Sequence, residues 1–174
     1  MQPEHGALTR SKAEKAGHAS YDIPMAVRPM FVEDIPEVVD IETKIFPFPW
    51  SPTGFSNAIS NGYDCRVMFE EASGKIAGYF IIKYAVDEAQ LLSIGLKAAL
   101  QGMGYGRFLL ENVVGTARGR GMKAVILEVR PSNLGPLALY QNFGFRQIGI
   151  RRNYYPDVDN LREDGIIMEF SLES

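Results

Sequence analysis

The sequence predicts an α/β domain with a mixed central β-sheet and helices on both faces. Its 174 residues, 46% of them apolar, suit one well-buried domain. Strand-like apolar runs and helical patterns follow one another in the order β-α-α-β-β-β-α-β-α-β-β. A tight turn joins two early strands, whereas helices separate later ones, so we expect antiparallel and parallel pairs in the same sheet.

Helix start and stop signals define the N-terminal elements. A strand is predicted over residues 23–30, and residues 32–36 open a helix with acidic side chains in its first turn. Two prolines within residues 46–50 stop that helix, and Ser51 is the predicted N-cap of a second helix through Ser60. Apolar side chains recur along the first helix at near-helical spacing, at Ile35, Val38, Val39, Ile41 and Ile45.

Turn and glycine signals define the remaining elements. Residues 71–74 are a predicted hairpin turn, Gly119 and Gly121 stop the third helix, and Gly144 stops the fourth. The predicted buried side of the third helix comprises Phe108, Leu109, Leu110, Val113, Val114 and Ala117. The further predicted strands cover residues 66–70, 75–84, 89–96, 123–130, 145–151 and 164–172, and the fourth helix covers residues 133–143.

Composition excludes several classes of protein. A net charge of −3 gives no attraction for nucleic acid or an anionic membrane, and no uninterrupted apolar run of 18 residues could span a bilayer. Residues 1–22 lack a signal-peptide core and are predicted to be a disordered tail, which leaves residues 23–174 as the domain. Both histidines, His5 and His18, fall in that tail, so neither a histidine base nor a metal site is expected.

Cys65 is the only cysteine, so no intramolecular disulfide is possible and a reducing, cytoplasmic location is expected. Arg66 follows it, which leaves a reactive thiol as one interpretation. The residue lies in an apolar strand, however, and buried, inert packing is the favoured interpretation.

Residues 101–107, Gln-Gly-Met-Gly-Tyr-Gly-Arg, connect an apolar strand to an apolar helix. Backbone N–H groups at such a helix start lie at the positive end of the helix dipole and favour an anion. The spacing is not the G-x-G-x-x-G of dinucleotide sites, and no Gly-Lys-Ser/Thr follows as in a P-loop. The run therefore indicates either a phosphate site or a helix entry that needs flexible residues.

Three polar side chains follow at positions that suit chemistry. Glu128 stands in an otherwise apolar strand, where it is either a general base or the ion-pair partner of Arg130 on the same face. Asn133 and Tyr140 are two helical turns apart and so share one side of their helix. Asn133 is most simply the N-cap, and Tyr140 is either a core aromatic or a functional phenol.

Two adjacent aromatic residues precede a proline in residues 151–156, Arg-Arg-Asn-Tyr-Tyr-Pro. This pattern between two strands predicts a stiff loop with exposed rings. Such rings either cover an edge of the core or form the wall of a pocket for a small apolar group.

In combination, these motifs resemble the GNAT acetyltransferase family over residues 25 to about 172. The shared pattern is an apolar strand, Gln-x-x-Gly-x-Gly, a helix, a strand ending in Glu, and then Asn and Leu-Tyr-x-x-x-Gly-Phe. The sequence is similar in particular to the ribosomal-protein-alanine N-acetyltransferase (RimI) type. The segments that carry this closer resemblance are residues 48–51, 87–89, 127–130, 132–133, 151–156 and 162–164.

The resemblance implies acetyl-CoA as the donor and the α-amine of a protein N-terminus, here the N-terminal alanine of a ribosomal protein, as the acceptor. It implies Glu128 as general base and Tyr140 as general acid. The implied acetyl-CoA contacts are Ile94, Gly95, Leu96, Gly102, Met103, Gly104, Tyr105, Gly106, Arg107 and Asn133. The implied acceptor walls are Phe48, Trp50, Tyr154 and Tyr155.

The sequence departs from the family pattern before the third helix. The family often has a basic residue where Gly102 stands, so the backbone and Arg107 are expected to hold the pyrophosphate, and residues 97–100 lack the usual proline. Two alternatives remain open. An acetyltransferase for a small amine would need more acidic pocket residues, and a CoA-binding module without turnover would not need both Glu128 and Tyr140.

Overall fold

The computed structural model describes residues 23–173, and its elements follow the predicted order. The predicted tail, residues 1–22, lies outside this range. No helix among residues 23–173 is long and apolar enough to cross a membrane. The strands are β1 (Met25–Pro29), β2 (Asp64–Glu70), β3 (Ile76–Ala85), β4 (Glu88–Leu96), β5 (Ala124–Val129), β6 (Arg146–Pro156) and β7 (Arg162–Ser171). The helices are α1 (Ile35–Ile45), α2 (Pro52–Ser60), α3 (Tyr105–Gly119) and α4 (Leu134–Phe143).

The seven strands form one hydrogen-bonded sheet in the order β1-β2-β3-β4-β5-β7-β6. Strands β4 and β5 are parallel, whereas the β1–β2, β5–β7 and β6–β7 pairs are antiparallel, which confirms the predicted mixed sheet. The parallel ladder runs from Glu88, opposite Ala124, to Leu91, opposite Leu127. Strand β4 continues beyond this ladder to Leu96.

The chain divides into two compact units, and the described part of the first comprises residues 23–80 and Ile94–Tyr105. Ser51 caps α2 as predicted, because its Oγ accepts the N–H of Gly54 at 3.1 Å. The hairpin turn is also confirmed, since Gly74, at a φ of +73°, donates its N–H to the carbonyl of Glu70. The core of this unit includes Met25, Val38, Phe55, Val67, Met68, Tyr79 and Phe80.

The described part of the second unit comprises Ile81–Ser93 and residues 106–173. All six side chains predicted on the inner face of α3 are buried. Gly144 ends α4 at a φ of +121°, a backbone conformation that glycine adopts without a Cβ penalty. The rings of Phe143, Phe145 and Phe170 pack around this helix end, with centroids 5.3–5.9 Å apart.

Residues 151–156, predicted as a loop, instead continue strand β6 to Pro156, so that prediction was wrong. Tyr155 pairs with Glu163 of β7, and Pro156 pairs with Arg162. A register shift between Arg151 and Tyr155 bends the strand, and Asn153 there has a φ of +53°. Long-range pairing with β7 overrides the local turn signals, and the bulge accommodates them within a strand.

Candidate functional site

Glu128 lies near the end of β5 and forms an ion pair with Arg151 of β6. Its Oε1 is 3.0 Å from the Nε of Arg151. The carboxylate side chain is 21% exposed and the arginine is 56% exposed, so water reaches this pair. Ion pairs of this kind contribute only about 0–1 kcal/mol to the free energy of unfolding. Arg151 can therefore give way to another cation at little cost.

Tyr140 is buried in α4, with 7% of its surface exposed. Within residues 23–173 its hydroxyl makes no hydrogen bond to another protein group. Burial raises the pKa of Tyr140, and the neighbouring Tyr155 adds to the increase, so the phenol keeps its proton at neutral pH. Because buried polar groups are almost always paired, this hydroxyl is a donor suited to a bound molecule.

Tyr154 and Tyr155 form a nearly perpendicular aromatic pair at the end of β6, with ring centroids 4.9 Å apart. The guanidinium of Arg130 lies 4.4 Å from the centroid of Tyr155, and that of Arg151 lies 5.0 Å from the centroid of Tyr154. Cation–π contacts of this kind hold aromatic rings in place. Each of the two rings predicted as an acceptor wall is therefore held by one arginine side chain.

Tyr155 connects the two predicted catalytic residues electrostatically. Burial raises its pKa to about 12, with further increases from Glu128 and Tyr154. Tyr155 in turn contributes to the raised pKa of Tyr140. The second unit thus brings the predicted base, the predicted acid and both tyrosine rings into one neighbourhood.

Glu163 organises the connection from β5 to α4. It accepts hydrogen bonds from the Ser132 N–H at 2.7 Å and the Ser132 hydroxyl at 2.8 Å, and it lies 3.5 Å from Arg130. Asn133 follows at the N-cap position of α4, but its side chain makes no capping hydrogen bond. The predicted N-cap position of Asn133 is therefore confirmed, although its side chain is not used for capping. Its amide can serve a bound molecule instead.

The glycine run forms an exposed turn before α3. Gly102 and Gly104 have φ values of +76° and +89°, which only glycine adopts readily. Gln101 steadies the turn in the first unit by donating its side-chain amide to the carbonyl of Leu96 at 3.1 Å. Met103 is 43% exposed. Tyr105 is buried, and its hydroxyl accepts the N–H of Ile23, so its side chain belongs to the core.

The second unit contributes α3 from Gly106 onward. A Cβ at Gly106 would lie 3.0 Å from Leu139, so glycine allows α3 and α4 to approach closely. Arg107 is half-exposed, with its guanidinium 5.1 Å from the ring centroid of Phe143 and its Nε 3.5 Å from Glu111. Both contacts are at the surface, which leaves this cation accessible to an anion.

The predicted donor strand and part of the predicted acceptor wall lie in the first unit. On β4, Gly95 and Leu96 are buried, whereas Ile94 is partly exposed. In the connection between α1 and α2, Phe48 is 43% exposed, and the ring of Trp50 packs 5.3 Å from that of Phe55. A buried carboxylate, Glu42, lies beneath this connection and was not recognised from the sequence.

Arg151, the ion-pair partner of Glu128, was also missed as such. The two residues are 23 positions apart, and the register of the bulged strand β6 brings them together. No short-range pattern connects them. Glu42, by contrast, left a signal, because it follows Val38 by four residues and precedes Ile45 by three on the apolar stripe of α1.

Cys65 is buried, as the sequence favoured. Burial raises its pKa to about 11, with a further contribution from Asp64. Below that pH the sulfur stays a thiol, so we expect about 100-fold slower reaction with an aromatic disulfide reagent at pH 8 in the folded protein than in urea-unfolded protein. Absorbance at 412 nm would follow the reaction. Equal rates in the two states would contradict this expectation.

Comparison with known proteins identifies the family. The sequence profile of the acetyltransferase (GNAT) family matches residues 35–145. The ribosomal protein bS18-alanine N-acetyltransferase of Escherichia coli (strain K12) is 40% identical over 140 residues, which cover 80% of this chain and 92% of that protein. The putative enzyme of the same name from Bacillus subtilis (strain 168) is 35% identical over 143 residues, covering 82% and 93% respectively.

Solved structures agree with the sequence comparison. The crystal structure of the ribosomal-protein-S18-alanine N-acetyltransferase from Escherichia coli has a TM-score of 0.78 at 35% identity, covering 86% of this chain and 95% of that one. Ard1 from Thermoplasma volcanium has a TM-score of 0.76 at 21% identity, covering 86% and 99%, a likeness of fold. The chain therefore belongs to the GNAT family of acetyltransferases, and within it is similar to the ribosomal-protein-alanine type.

Proposed function

We propose that this enzyme transfers the acetyl group of acetyl-CoA to the α-amine of a protein N-terminus, with the N-terminal alanine of a small-subunit ribosomal protein as acceptor. The acceptor is proposed from the names of relatives that are 35–40% identical over four-fifths of the chain. One structural observation carries the mechanism. A water-accessible carboxylate, Glu128, and a buried phenol without a protein partner, Tyr140, both interact with Tyr155.

Glu128 acts as the general base in this proposal, through one water molecule. The α-amine has a pKa near 8, against about 10.4 for a lysine side chain. Deprotonating lysine near neutral pH therefore costs about 3 kcal/mol more, since one pKa unit corresponds to about 1.4 kcal/mol. A carboxylate can prepare an α-amine with modest help, which favours a protein N-terminus over a lysine.

The deprotonated nitrogen then attacks the thioester carbonyl, and a tetrahedral intermediate forms. As this intermediate collapses, the nitrogen gives its second proton to solvent and the C–S bond breaks, so that the CoA sulfur leaves with the electron pair of that bond. Tyr140 donates its phenolic proton to this thiolate, and solvent reprotonates the phenolate afterwards. Direct transfer requires no acyl-enzyme, and Cys65 is a buried thiol, unsuited to the role of nucleophile. Among residues 23–173 no cluster of His, Cys, Asp or Glu is placed to hold a metal ion.

Two backbone features support the binding of acetyl-CoA. The parallel ladder ends at Leu91, while β4 continues through Ile94, Gly95 and Leu96. We assign these three residues to pairing with the peptide-like pantetheine arm, with one N–H directed at the thioester oxygen. Residues 102–107 would hold the pyrophosphate through their backbone N–H groups and the Arg107 side chain, and Asn133 would contact the CoA arm.

We assign acceptor recognition to four aromatic side chains, those of Phe48, Trp50, Tyr154 and Tyr155. Their rings suit a small apolar first residue such as alanine. Ribosomal proteins are made in the cytoplasm, and we place the enzyme there, since its single buried cysteine suits a reducing compartment.

Mass spectrometry of protein N-termini tests the proposed acceptor. We expect an acetylated N-terminal alanine on a small-subunit ribosomal protein from cells that contain the active enzyme, and the unmodified alanine from cells that lack it. Cells that express the Glu128→Gln variant at the same level serve as the control. Acetylation found only on lysine side chains would overturn the α-amine assignment.

Turnover and binding assays distinguish this function from two rival functions. A panel that compares alanine-starting peptides with polyamines and aminoglycosides would identify a small-amine acetyltransferase by turnover confined to the small amines. A CoA-binding module without turnover would bind CoA in calorimetry and acetylate neither group. The predicted result is turnover of the peptides.

A further inference from the structure

Glu42 is a buried carboxylate on the inner face of α1. Only 2% of its surface is exposed, although glutamate is almost never fully buried without a partner. Burial raises the pKa of Glu42, whereas its hydrogen bonds with Tyr79 and Trp50 act to lower it. An apolar side chain of similar volume would fill the same space at lower cost. The carboxylate therefore serves a purpose that packing alone does not explain.

One purpose is to fasten residues 46–50, here called the Trp50 segment. The backbone carbonyl of Glu42 accepts the N–H of Phe46 at 3.0 Å, and the carboxylate Oε1 accepts the N–H of Trp50 at 3.1 Å. The two residues that end the segment are thus bound to a single residue of α1. Pro47 and Pro49 have no N–H group and a fixed φ, so the backbone between these ends has little freedom.

The second carboxylate oxygen extends the connection to the sheet. Glu42 Oε2 accepts a hydrogen bond from the hydroxyl of Tyr79 on β3. The ring of Phe55 lies between the rings of Trp50 and Tyr79, with centroid distances of 5.3 and 5.7 Å. The Trp50 segment is therefore joined to Tyr79 by a hydrogen-bonded route and by an aromatic route.

Tyr79 lies across Gly95 of β4. The N–H of Lys97 donates to the carbonyl of Ala77, which places Tyr79 and Gly95 opposite each other two residues further along the two strands. A Cβ at Gly95 would lie 2.3 Å from the Tyr79 hydroxyl oxygen. Glycine is thus what allows this ring to reach Glu42. The same glycine belongs to the proposed acetyl-CoA strand.

We propose that Glu42 is a positioning residue, which fixes the Trp50 segment relative to strands β3 and β4 so that the acceptor N-terminus meets a preformed wall. This inference rests on the proposed function, because that function assigns the acceptor to Phe48 and Trp50. Two oxygens that accept from two separate elements set the position of the segment as well as its burial. A leucine would supply the burial alone.

Steady-state kinetics test the consequence for acceptor binding. In Glu42→Leu, we expect the KM for an alanine-starting peptide to rise about tenfold. The variant lacks both carboxylate oxygens, which accept hydrogen bonds from the Trp50 N–H and from the Tyr79 hydroxyl. The KM for acetyl-CoA should stay within about twofold. Glu42→Gln keeps an acceptor for Trp50 and a polar partner for Tyr79, so it should recover most of the peptide affinity. Asp40→Asn, on the exposed face of the same helix, is the matched control and should match the parent enzyme.

Fluorescence provides a readout that needs no turnover. Trp50 is the only tryptophan in the chain, so acrylamide quenching reports on the Trp50 segment alone. At a temperature where circular dichroism shows each variant folded, we expect quenching to be at least twofold more efficient in Glu42→Leu and unchanged in Asp40→Asn. Unchanged quenching in a folded Glu42→Leu variant would overturn the positioning role, whatever the acceptor of the enzyme is.

Tyr79→Phe completes the test and replaces Glu42→Leu if that variant does not fold. It removes the hydroxyl and keeps the ring on Phe55, so quenching and peptide KM should change in the same direction by about threefold. Added to Glu42→Leu, it should have no further effect, because Tyr79 acts through Glu42. Fully additive effects would contradict the inference.

Absence of α-amine acetylation in the parent enzyme, with the quenching changes as expected, would overturn the proposed function and leave the positioning of the segment intact.

Discussion

Replacement of Gly95 by alanine is expected to lower turnover about 100-fold and the free energy of unfolding by about 2 kcal/mol. The new methyl group would lie 2.3 Å from the hydroxyl oxygen and 2.4 Å from Cζ of Tyr79, distances that real Cβ atoms essentially never show. Both residues are buried, so either the ring or strand β4 must move. Urea unfolding and peptide acetylation assays would measure the two effects.

Gly119→Ala is the matched control for this substitution. Gly119 ends α3, has no positive φ, and a Cβ there would meet no atom within 4 Å, so alanine should be neutral or slightly stabilising. In Gly95→Ala with Tyr79→Val, the clash is relieved but the bond to Glu42 is lost. We expect this double variant to remain slow and to stay less stable than the parent, because the lost ring leaves a cavity and Glu42 loses a partner. A fully active Gly95→Ala enzyme would contradict the proposed use of β4.

Glu128→Gln is expected to lower kcat/KM for an alanine-starting peptide at least 100-fold at pH 7, because the amide cannot take a proton from the amine. The deficit should shrink at pH 9, where the α-amine loses its proton without a base. Stability should change little, since the lost ion pair with Arg151 is exposed to water. A pH–rate profile of both enzymes between pH 6 and 9.5 would check these expectations.

Tyr140→Phe separates the acid from the base. The ring and its packing against Phe145 stay, and the hydroxyl has no protein partner within residues 23–173, so the variant should be at least as stable as the parent. Turnover should nevertheless fall about 100-fold, because the leaving thiolate loses its proton donor. If both Glu128→Gln and Tyr140→Phe acetylated at the parent rate, the proposed mechanism would be wrong.

The sequence predicted the elements whose signals are local. The start of α2 is marked by Ser51 and Pro52, a signal that spans only the four residues 51–54. The inner face of α3 is marked by its apolar repeat. The glycine run was correctly placed before α3, where Gly102 and Gly104 adopt a positive φ. These features depend on neighbours in the sequence, and so pattern reasoning finds them.

The features that escaped prediction depend on partners far along the chain. Glu42 interacts with Tyr79, 37 residues away, and periodicity marked its face without identifying that partner. Glu128 meets Arg151 only because β6 is bulged and pairs with β7. The same pairing converted residues 151–156 from a predicted loop into a strand. Register between distant strands is decided by the packed sheet, and local signals do not encode it.

The bulges of β6 also affect how the molecule behaves at high concentration. In the sheet described, β6 is an edge strand, and two of its apolar side chains, Ile148 and Ile150, are at least half-exposed. A flat strand of this kind would be a template for pairing with a second chain. Register shifts on either side of Ile150 and the charges of Arg146 and Arg152 make it a poor one. The irregularity that bends the aromatic wall thus also protects the exposed edge from aggregation.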